Sequence, residues 1–440
     1  MPTIKVTSYC DPIETTDKEP RPLDVRPREI VDWPEFTQIT TLHGIKHAFD
    51  GRSRIRRTVW LLGVIAMASF LTYTISNIVI NYYKYPTRTE MSVASVTAQT
   101  YPQVTICSIS PLSATKLNDS YNPEIWTLMA AMSPTGWLMD QINFSLPEFQ
   151  FALERHPKEH YLNLSNDLSS LLTYCSFEGS SIGVCGNIFE TRLTDMGLCF
   201  TTRKMDHGDR VTTKMTGSQR GLQISLIVNQ DDYVYNNDMA SGFKVMLHQT
   251  GTEPDIVNKG FLVPPGFTTY ASANVINYKF MPFPYKAFDN TYCLDTKNAV
   301  FQNPLTTTGV YDETICFQEC RSTFLMKKCG CVDYTDRGTE TICSFKEVYT
   351  CLQYEKLRFN QVKEEICSCG KPCESTQFDI KLSTALYPSD LNIKHLEQIF
   401  PNLTLKRSNF AELRIFFENL VETRVFIPFC NIHVTPDKLP

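Results

Sequence analysis

The feature that most constrains this chain is a run of 23 residues without a charge, TVWLLGVIAMASFLTYTISNIVI at positions 58–80. As a helix it measures about 34 Å, enough to cross the hydrocarbon core of a bilayer. A buried helix of a soluble protein rarely lacks every charge over such a length. A secretory signal would start nearer the N-terminus and be shorter. The run therefore reads as a membrane span. Its flanks are unequal: Lys46, Arg52, Arg54, Arg56 and Arg57 precede it against Asp50 alone, and only Lys84 and Arg88 follow in a comparable stretch. The positive-inside rule puts the N-terminus in the cytoplasm and the body beyond the span outside the cell. Tyr82, Tyr83 and Tyr85 supply an aromatic belt at the outer interface.

Two further patterns agree with that orientation. The sequons at Asn118, Asn143, Asn163 and Asn402 all follow the span, and none precedes it. Of 16 cysteines, only Cys10 lies before it. Thiols in such number suit an oxidising compartment, so the expectation is a large extracellular body stapled by disulfides. The chain has 440 residues, 42% of them hydrophobic, with a formal net charge of -5. That supports a real core and excludes wholesale disorder. It also excludes a general nucleic-acid binder, which needs a basic surface.

Along the chain, residues 1–57 form a cytoplasmic tail, 58–80 the span, 81–423 a cysteine-rich extracellular domain, and 424–440 a tail of different character. Within the body, residues 108–200 mix short helical stretches with loops. Strand-like runs occur at 221–228, 242–248, 376–386 and 413–420, with a turn at Pro264-Pro265-Gly266. Helical spacing over 389–400 starts at Ser389, a candidate cap. Ten cysteines crowd into positions 293–373. Zinc is one reading of their C-x-C and C-x3-C spacings, but no histidine lies in that segment, and outside the cell disulfides win. Fourteen cysteines allow roughly 1.35 × 10⁵ complete pairings, so counting alone cannot choose among them.

Catalytic motifs do not carry this chain. Gly179-Ser180-Ser181-Ile182-Gly183 matches G-x-S-x-G, but that motif works on a strand-to-helix elbow. Here it lies in a short loop between Cys175 and Cys185. No zincin, P-loop or dinucleotide fingerprint is present. The reading is a non-enzyme that needs no cofactor and no metal.

Taken in order, several motifs resemble those of the degenerin/epithelial sodium channel family, from about Leu42 to about Glu422. His43-Gly44 resembles its pre-membrane His-Gly, and Tyr101-Pro102-Gln103-Val104-Thr105-Ile106-Cys107 its post-membrane aromatic-Pro-x-Val-Thr-x-Cys. Gly197-Leu198-Cys199-Phe200-Thr201 is similar to its Gly-x-Cys-aromatic-Thr. Cys316-x3-Cys320-x8-Cys329-Gly330-Cys331 and Cys367-x-Cys369-x2-Pro372-Cys373-x2-Thr376 resemble the signatures of its thumb, and Leu382-Ser383 and Pro388-Ser389 continue the pattern.

The resemblance implies an α+β fold: one transmembrane helix here, and a disulfide-stapled ectodomain with a β-rich palm, a helical finger and a thumb at about 293–373. It implies seven disulfides: Cys107–Cys199, Cys175–Cys185, Cys293–Cys373, Cys316–Cys369, Cys320–Cys367, Cys329–Cys351 and Cys331–Cys343. It implies gating roles for His43, Gly44, Tyr85 and Tyr285; the four sequon asparagines are, from the sequence itself, the expected glycosylation sites. It further implies a ligand-gated, amiloride-sensitive sodium channel of the plasma membrane. Such a channel conducts sodium ions as a homo- or hetero-trimer of family subunits in the lipid bilayer, with an extracellular peptide as a candidate ligand.

Two departures qualify that expectation. Acid-sensing members carry a histidine pair after the tyrosine that corresponds to Tyr85, and this chain has Pro86 and Thr87. Histidine titrates near neutral pH and these residues do not, so the resemblance leans to peptide-gated invertebrate members of the FMRFamide-gated type. The family's second span, with its Gly-x-Ser selectivity filter, should follow Phe417-Glu418 and is absent. The stretch 413–430 holds Arg414, Glu418, Glu422 and Arg424, and each charge at a helix centre costs about 2.5–3.5 kcal/mol on insertion. The alternatives are a single-span, non-conducting chain that binds ligand or regulates full-length subunits, and a cysteine-rich adhesion or inhibitor ectodomain.

Overall fold

The computed structural model describes residues 53–426 except 86–88, 121–123, 125–126, 129–142, 144, 204–210, 235–239, 288–290, 337, 339 and 400–404. Cys10, His43, Gly44, Pro86, Thr87, Asn402 and Cys430 lie outside the described residues, as does most of the N-terminal tail. The described residues divide into two compact units. One holds the first helix with residues 84–85, 89 and 283–287, and the other holds the described residues of 90–282 and 291–426.

The first helix, α1 (Arg54–Tyr83), contains the uncharged run and extends about a turn beyond it at its N-terminal end. None of its residues is buried. Thr58, Thr72 and Thr74 turn their hydroxyls back to the carbonyls four residues earlier, so these polar side chains are satisfied within the helix. The chain is a membrane protein, and among its described residues this helix is the span.

In the second unit come β1 (Glu90–Ser95), β2 (Gln99–Thr100), β3 (Gln103–Ser108), then α2 (Ala114–Ser120), α3 (Pro147–Leu153), α4 (Pro157–Leu164) and α5 (Leu168–Leu171). Strands β4 (Leu172–Phe177), β5 (Ser180–Gly183), β6 (Phe189–Thr194), β7 (Gly197–Thr202), β8 (Thr212–Thr213), β9 (Leu222–Ile227), β10 (Phe243–His248), β11 (Phe261–Val263) and β12 (Phe267–Lys279) follow. Helices α6 (Glu313–Cys329), α7 (Phe345–Glu347) and α8 (Gln353–Ile366) precede β13 (Glu374–Leu386), α9 (Asp390–Ile399), β14 (Phe410–Phe416) and β15 (Val421–Phe426). Residues 172–202, expected to be helix and loop, form four strands instead. Phe189, Phe200, Cys175 and Cys199 are buried in them together with the polar Ser176, Thr194 and Thr201, so a few apolar anchors rather than strict alternation hold them in the sheets.

The larger sheet runs β1-β15-β12-β14-β9-β4-β5, and β13 pairs along the other edge of β12. The smaller sheet runs β11-β10-β3-β7-β6. β9 buries every second residue, and its Ile224 and Leu226 share one core with Val104 and Ile106 of β3, Phe243 of β10 and Leu413 and Ile415 of β14. The two sheets are therefore glued through a common apolar layer. Strand β3 is buried along its whole length, with the β-branched run Val104-Thr105-Ile106 at its centre, so both of its faces are covered and no polar–apolar alternation is needed.

The C-terminal strands correct the expectation of a conducting, two-span sodium-channel subunit. Among the described residues α1 is the one helix long and apolar enough to cross a membrane. Where a second span is expected to begin, the chain forms β15, paired to β1 on one side and, in parallel, to β12 on the other. Glu422 and Arg424 bond each other within it at 3.4 Å. Its backbone is satisfied by the sheet and its charges by each other, so these residues belong to the sheet and not to a bilayer.

Candidate functional site

Three groups of side chains stand out, and the first lies in the unit that holds α1. Tyr85 follows the end of α1 with a φ of 47°, and its ring meets that of Tyr285 edge-on at 5.4 Å and 80°. Tyr285 comes just after a cis Phe283–Pro284 peptide. The sequence offered these two tyrosines 200 positions apart, and the fold brings them into contact. An edge-on pair of this kind contributes about 0.5–1.5 kcal/mol beyond its buried area.

The second group is the stapled thumb. Asp312 caps α6 by accepting from the Ile315 amide at 3.0 Å, and Gly330, at a φ of 75°, ends it in the left-handed conformation that glycine adopts freely. Disulfides Cys316–Cys369 and Cys320–Cys367 tie α6 to the strand entry after α8. Cys329–Cys351 and Cys331–Cys343 tie its other end to the short helical turns before α8, and Cys293–Cys373 closes the base. In the sheets, Cys107–Cys199 bridges β3 and β7, and Cys175–Cys185 closes the β4–β5 hairpin. Cys331, Cys343 and Glu347 converge in a metal-like trio. The two sulfurs are spent on each other, and Glu347 is spent on a capping box with Ser344. The trio therefore offers no thiolate to an ion.

The Gly179–Gly183 motif sits on the β4–β5 hairpin, with Glu178 and Gly179 in the turn at positive φ. The Ser181 hydroxyl accepts from the Gly183 amide at 3.3 Å. Both serines lie on the hairpin strand β5, and only a three-residue 3-10 turn, Cys185–Asn187, comes after it, so the strand-to-α-helix elbow that would activate a serine is missing. Asn118, Asn143 and Asn163 are all exposed.

The third group was missed in the sequence. Arg321 on α6 bonds Asp195, in the turn between β6 and β7, at 3.0 Å and Asp336 at 2.6 Å. Lys356 on α8 pairs with Asp333 and lies 3.6 Å from Asp195. Thr335 donates to Asp195 at 3.0 Å. The side chains of Asp333 and Asp336 are sealed from solvent, while those of Asp195 and Lys356 are each 31% exposed. Burial pushes the Asp195 carboxyl up, but the Lys356 and Arg321 charges together outweigh it and hold it below the usual range. Burial likewise pulls Arg321 down, and Asp195, Asp336 and Asp333 more than compensate. These five residues span 162 positions of sequence and follow no spacing rule. The thumb segment carries many other charged residues, so charge in the sequence does not single these out.

Comparison with known proteins places these features in a family. The family model described as amiloride-sensitive sodium channel matches residues 36–425. Acid-sensing ion channel 1C of Danio rerio is 27% identical over 409 residues, covering 88% of this chain and 74% of the relative. Acid-sensing ion channel 2 of Homo sapiens is 27% identical over 411 residues, covering 88% and 77%. Acid-sensing ion channel 1 of Gallus gallus is 26% identical over 417 residues, covering 88% and 75%. The match runs from before α1 to the last strand of the larger sheet, and the chain belongs to the amiloride-sensitive sodium channel family.

Proposed function

We propose that this chain is a single-span, non-conducting member of the family that regulates two-span subunits by assembling with them, its ectodomain receiving an extracellular ligand. The observation that carries this reading is the pairing of a full, stapled family ectodomain with one membrane helix among the described residues. On this reading the N-terminus is cytoplasmic, the body is extracellular and the protein sits in the plasma membrane. It enters a trimer beside relatives that supply the second helices. The Tyr85–Tyr285 contact passes movement of the ectodomain to α1, and His43-Gly44 serves the same coupling from the other side. The domain limits follow: 1–57 inside, 58–80 in the bilayer and 81–423 outside.

Relatives named acid-sensing make protons a stimulus to compare with peptides, although Pro86 and Thr87 supply no titrating group beside Tyr85. The test expresses the chain alone and together with a two-span relative, and records under candidate peptides and under acid. The expected result is no sodium current from the chain alone, and an altered amplitude or stimulus dependence, with co-purification, in the mixture. An amiloride-blocked sodium current from the chain alone would overturn the proposal.

A further inference from the structure

Along β12 the inner face passes from the buried Ala271, Ala273 and Val275 to the polar Asn277. There the apolar layer between the sheets gives way to a cavity of about 130 Å³, several times the roughly 10–15 Å³ that one water needs. Two rows of the larger sheet line it. Glu422, Val275 and Phe378 stand side by side across β15, β12 and β13, and Asn277 and Thr376 form the next row. Gln99 of β2 and the loop after β10, with Gln249 and Thr250, complete the polar lining.

Gln99 is 2% exposed. Its Nε2 donates to Glu422 at 3.3 Å, and that carboxylate fixes which end of the amide is which. Its Oε1 is sealed from solvent and has no partner among the described residues, although buried acceptors are nearly always paired. The same cavity also presents donors. Gln249 Oε1 accepts from the Thr376 amide at 3.2 Å, and Asn277 Oδ1 accepts from the Thr376 hydroxyl at 2.8 Å. That leaves the amide nitrogens of Gln249 and Asn277 to donate.

Charge narrows the class of ligand. Glu422 is the only charged residue in the lining, and Arg424 answers it at 3.4 Å. An anion finds no cation there, and a cation finds one carboxylate already shared by Gln99 and Arg424. What remains is a neutral mixture of acceptors and donors against an apolar wall of Val275 and Phe378. Hydroxyl groups both donate and accept, so they match that mixture. A ring that carries adjacent hydroxyls also has a C–H face for the apolar wall.

We propose that this cavity is a binding site for a neutral polyol no larger than a single sugar ring, held through adjacent hydroxyls by Gln99, Glu422, Asn277 and Gln249. The class includes a free sugar or cyclitol and the terminal sugar of a glycan. The site gives a place to the ligand-receiving role proposed above and rests on that reading for its consequence at the membrane. Binding itself is a property of the chain alone, so its failure is distinguishable from a failure to regulate two-span subunits.

The test is saturation-transfer NMR on the full chain in lipid nanodiscs, after endoglycosidase removes the chain's own sugars. The probes are D-glucose, myo-inositol and the two methyl D-glucosides, with ethylammonium and acetate as controls. Expected is saturable transfer to at least one polyol, above protein-free nanodiscs, and none to either control. Methyl glucosides that bind as well as glucose identify a linked sugar as the source, and binding confined to glucose or inositol identifies a free solute. Gln99→Leu removes the unpaired acceptor, and Thr250→Trp fills the cavity from a loop. Each should cut the transfer several-fold. Glu422→Gln keeps the shape, so a neutral ligand should lose only part of its signal where a cation would lose all of it. Absent or unsaturable polyol transfer overturns the proposal and leaves ordered water as the partner of Gln99. Transfer that survives both Gln99→Leu and Thr250→Trp overturns it too, as does stronger transfer to ethylammonium. Should Gln99→Leu fail to fold, Thr250→Trp decides, and the wild-type saturation and control profile decides should both fail.

Discussion

Tyr101 shows how much one residue of a legible motif can hide. The sequence marks it as the aromatic of a strand leaving the membrane. The fold buries its ring edge-on against Phe177 and Phe417 at 5.1 and 5.6 Å. Its hydroxyl donates to the Ile415 carbonyl at 2.6 Å and accepts from the Leu222 amide at 3.1 Å, tying β9 to β14 at one end. Tyr101→Phe keeps the ring and strips both bonds in a dry site, and is expected to cost about 1–3 kcal/mol in denaturant unfolding. A neutral result would mean that water replaces the hydroxyl there. His248 gives a pH prediction. Its ring nitrogen lies 2.9 Å from the Thr105 hydroxyl, and burial, opposed by bonds at Gln249 and Thr252 and aided by Arg192, brings its pKa down to about 4. With an ordinary value near 6.5, the neutral ring stabilises the fold above about pH 6.5, and that contribution drains away between there and pH 4. His248→Gln is expected to flatten the melting temperature over that interval, and an unchanged acid slope would exclude the histidine as its source.

Among the elements, the thumb was legible in outline and opaque in mechanism. Cysteine spacing alone left its pairing open, and only the family resemblance offered one arrangement. Periodicity found β9, β10, β13 and α9 because each buries or exposes residues at its own repeat. It missed β4 to β7, whose inner positions are held by a few phenylalanines and cysteines among polar neighbours. It could not find the Asp195, Arg321 and Lys356 cluster at all, since tertiary contact alone defines it. Loop length ranks the staples. Cys331–Cys343 spans 12 positions and Cys293–Cys373 spans 80. Closing such loops is worth about 3 and about 4.5 kcal/mol respectively on the chain-entropy account. Paired Cys→Ser variants should therefore lose more stability at the thumb base than at its tip, as read by thermal unfolding at equal protein concentration. The reverse order would point to residual structure in the unfolded thumb.

For the whole molecule the decisive question is which side of the membrane the large unit occupies, because everything proposed for ligand and thumb depends on it. The fold supports seven disulfides, which an oxidising compartment favours. It also leaves Asn118, Asn143 and Asn163 open to a glycosyltransferase, Asn163 on the outer side of α4 and Asn143 in a turn where its side chain accepts from the Ser145 amide at 3.2 Å. The basic flank before α1 makes the same choice from the other end. Endoglycosidase treatment of the surface-expressed chain should then lower its apparent mass. Replacing Asn118, Asn143 and Asn163 together by Gln should remove most of that shift, leaving the part contributed by Asn402. A chain that reaches the membrane with no glycan on any of the four would place the stapled unit in the cytosol. The charge asymmetry around α1 would then have been misread, and with it the ligand-receiving role.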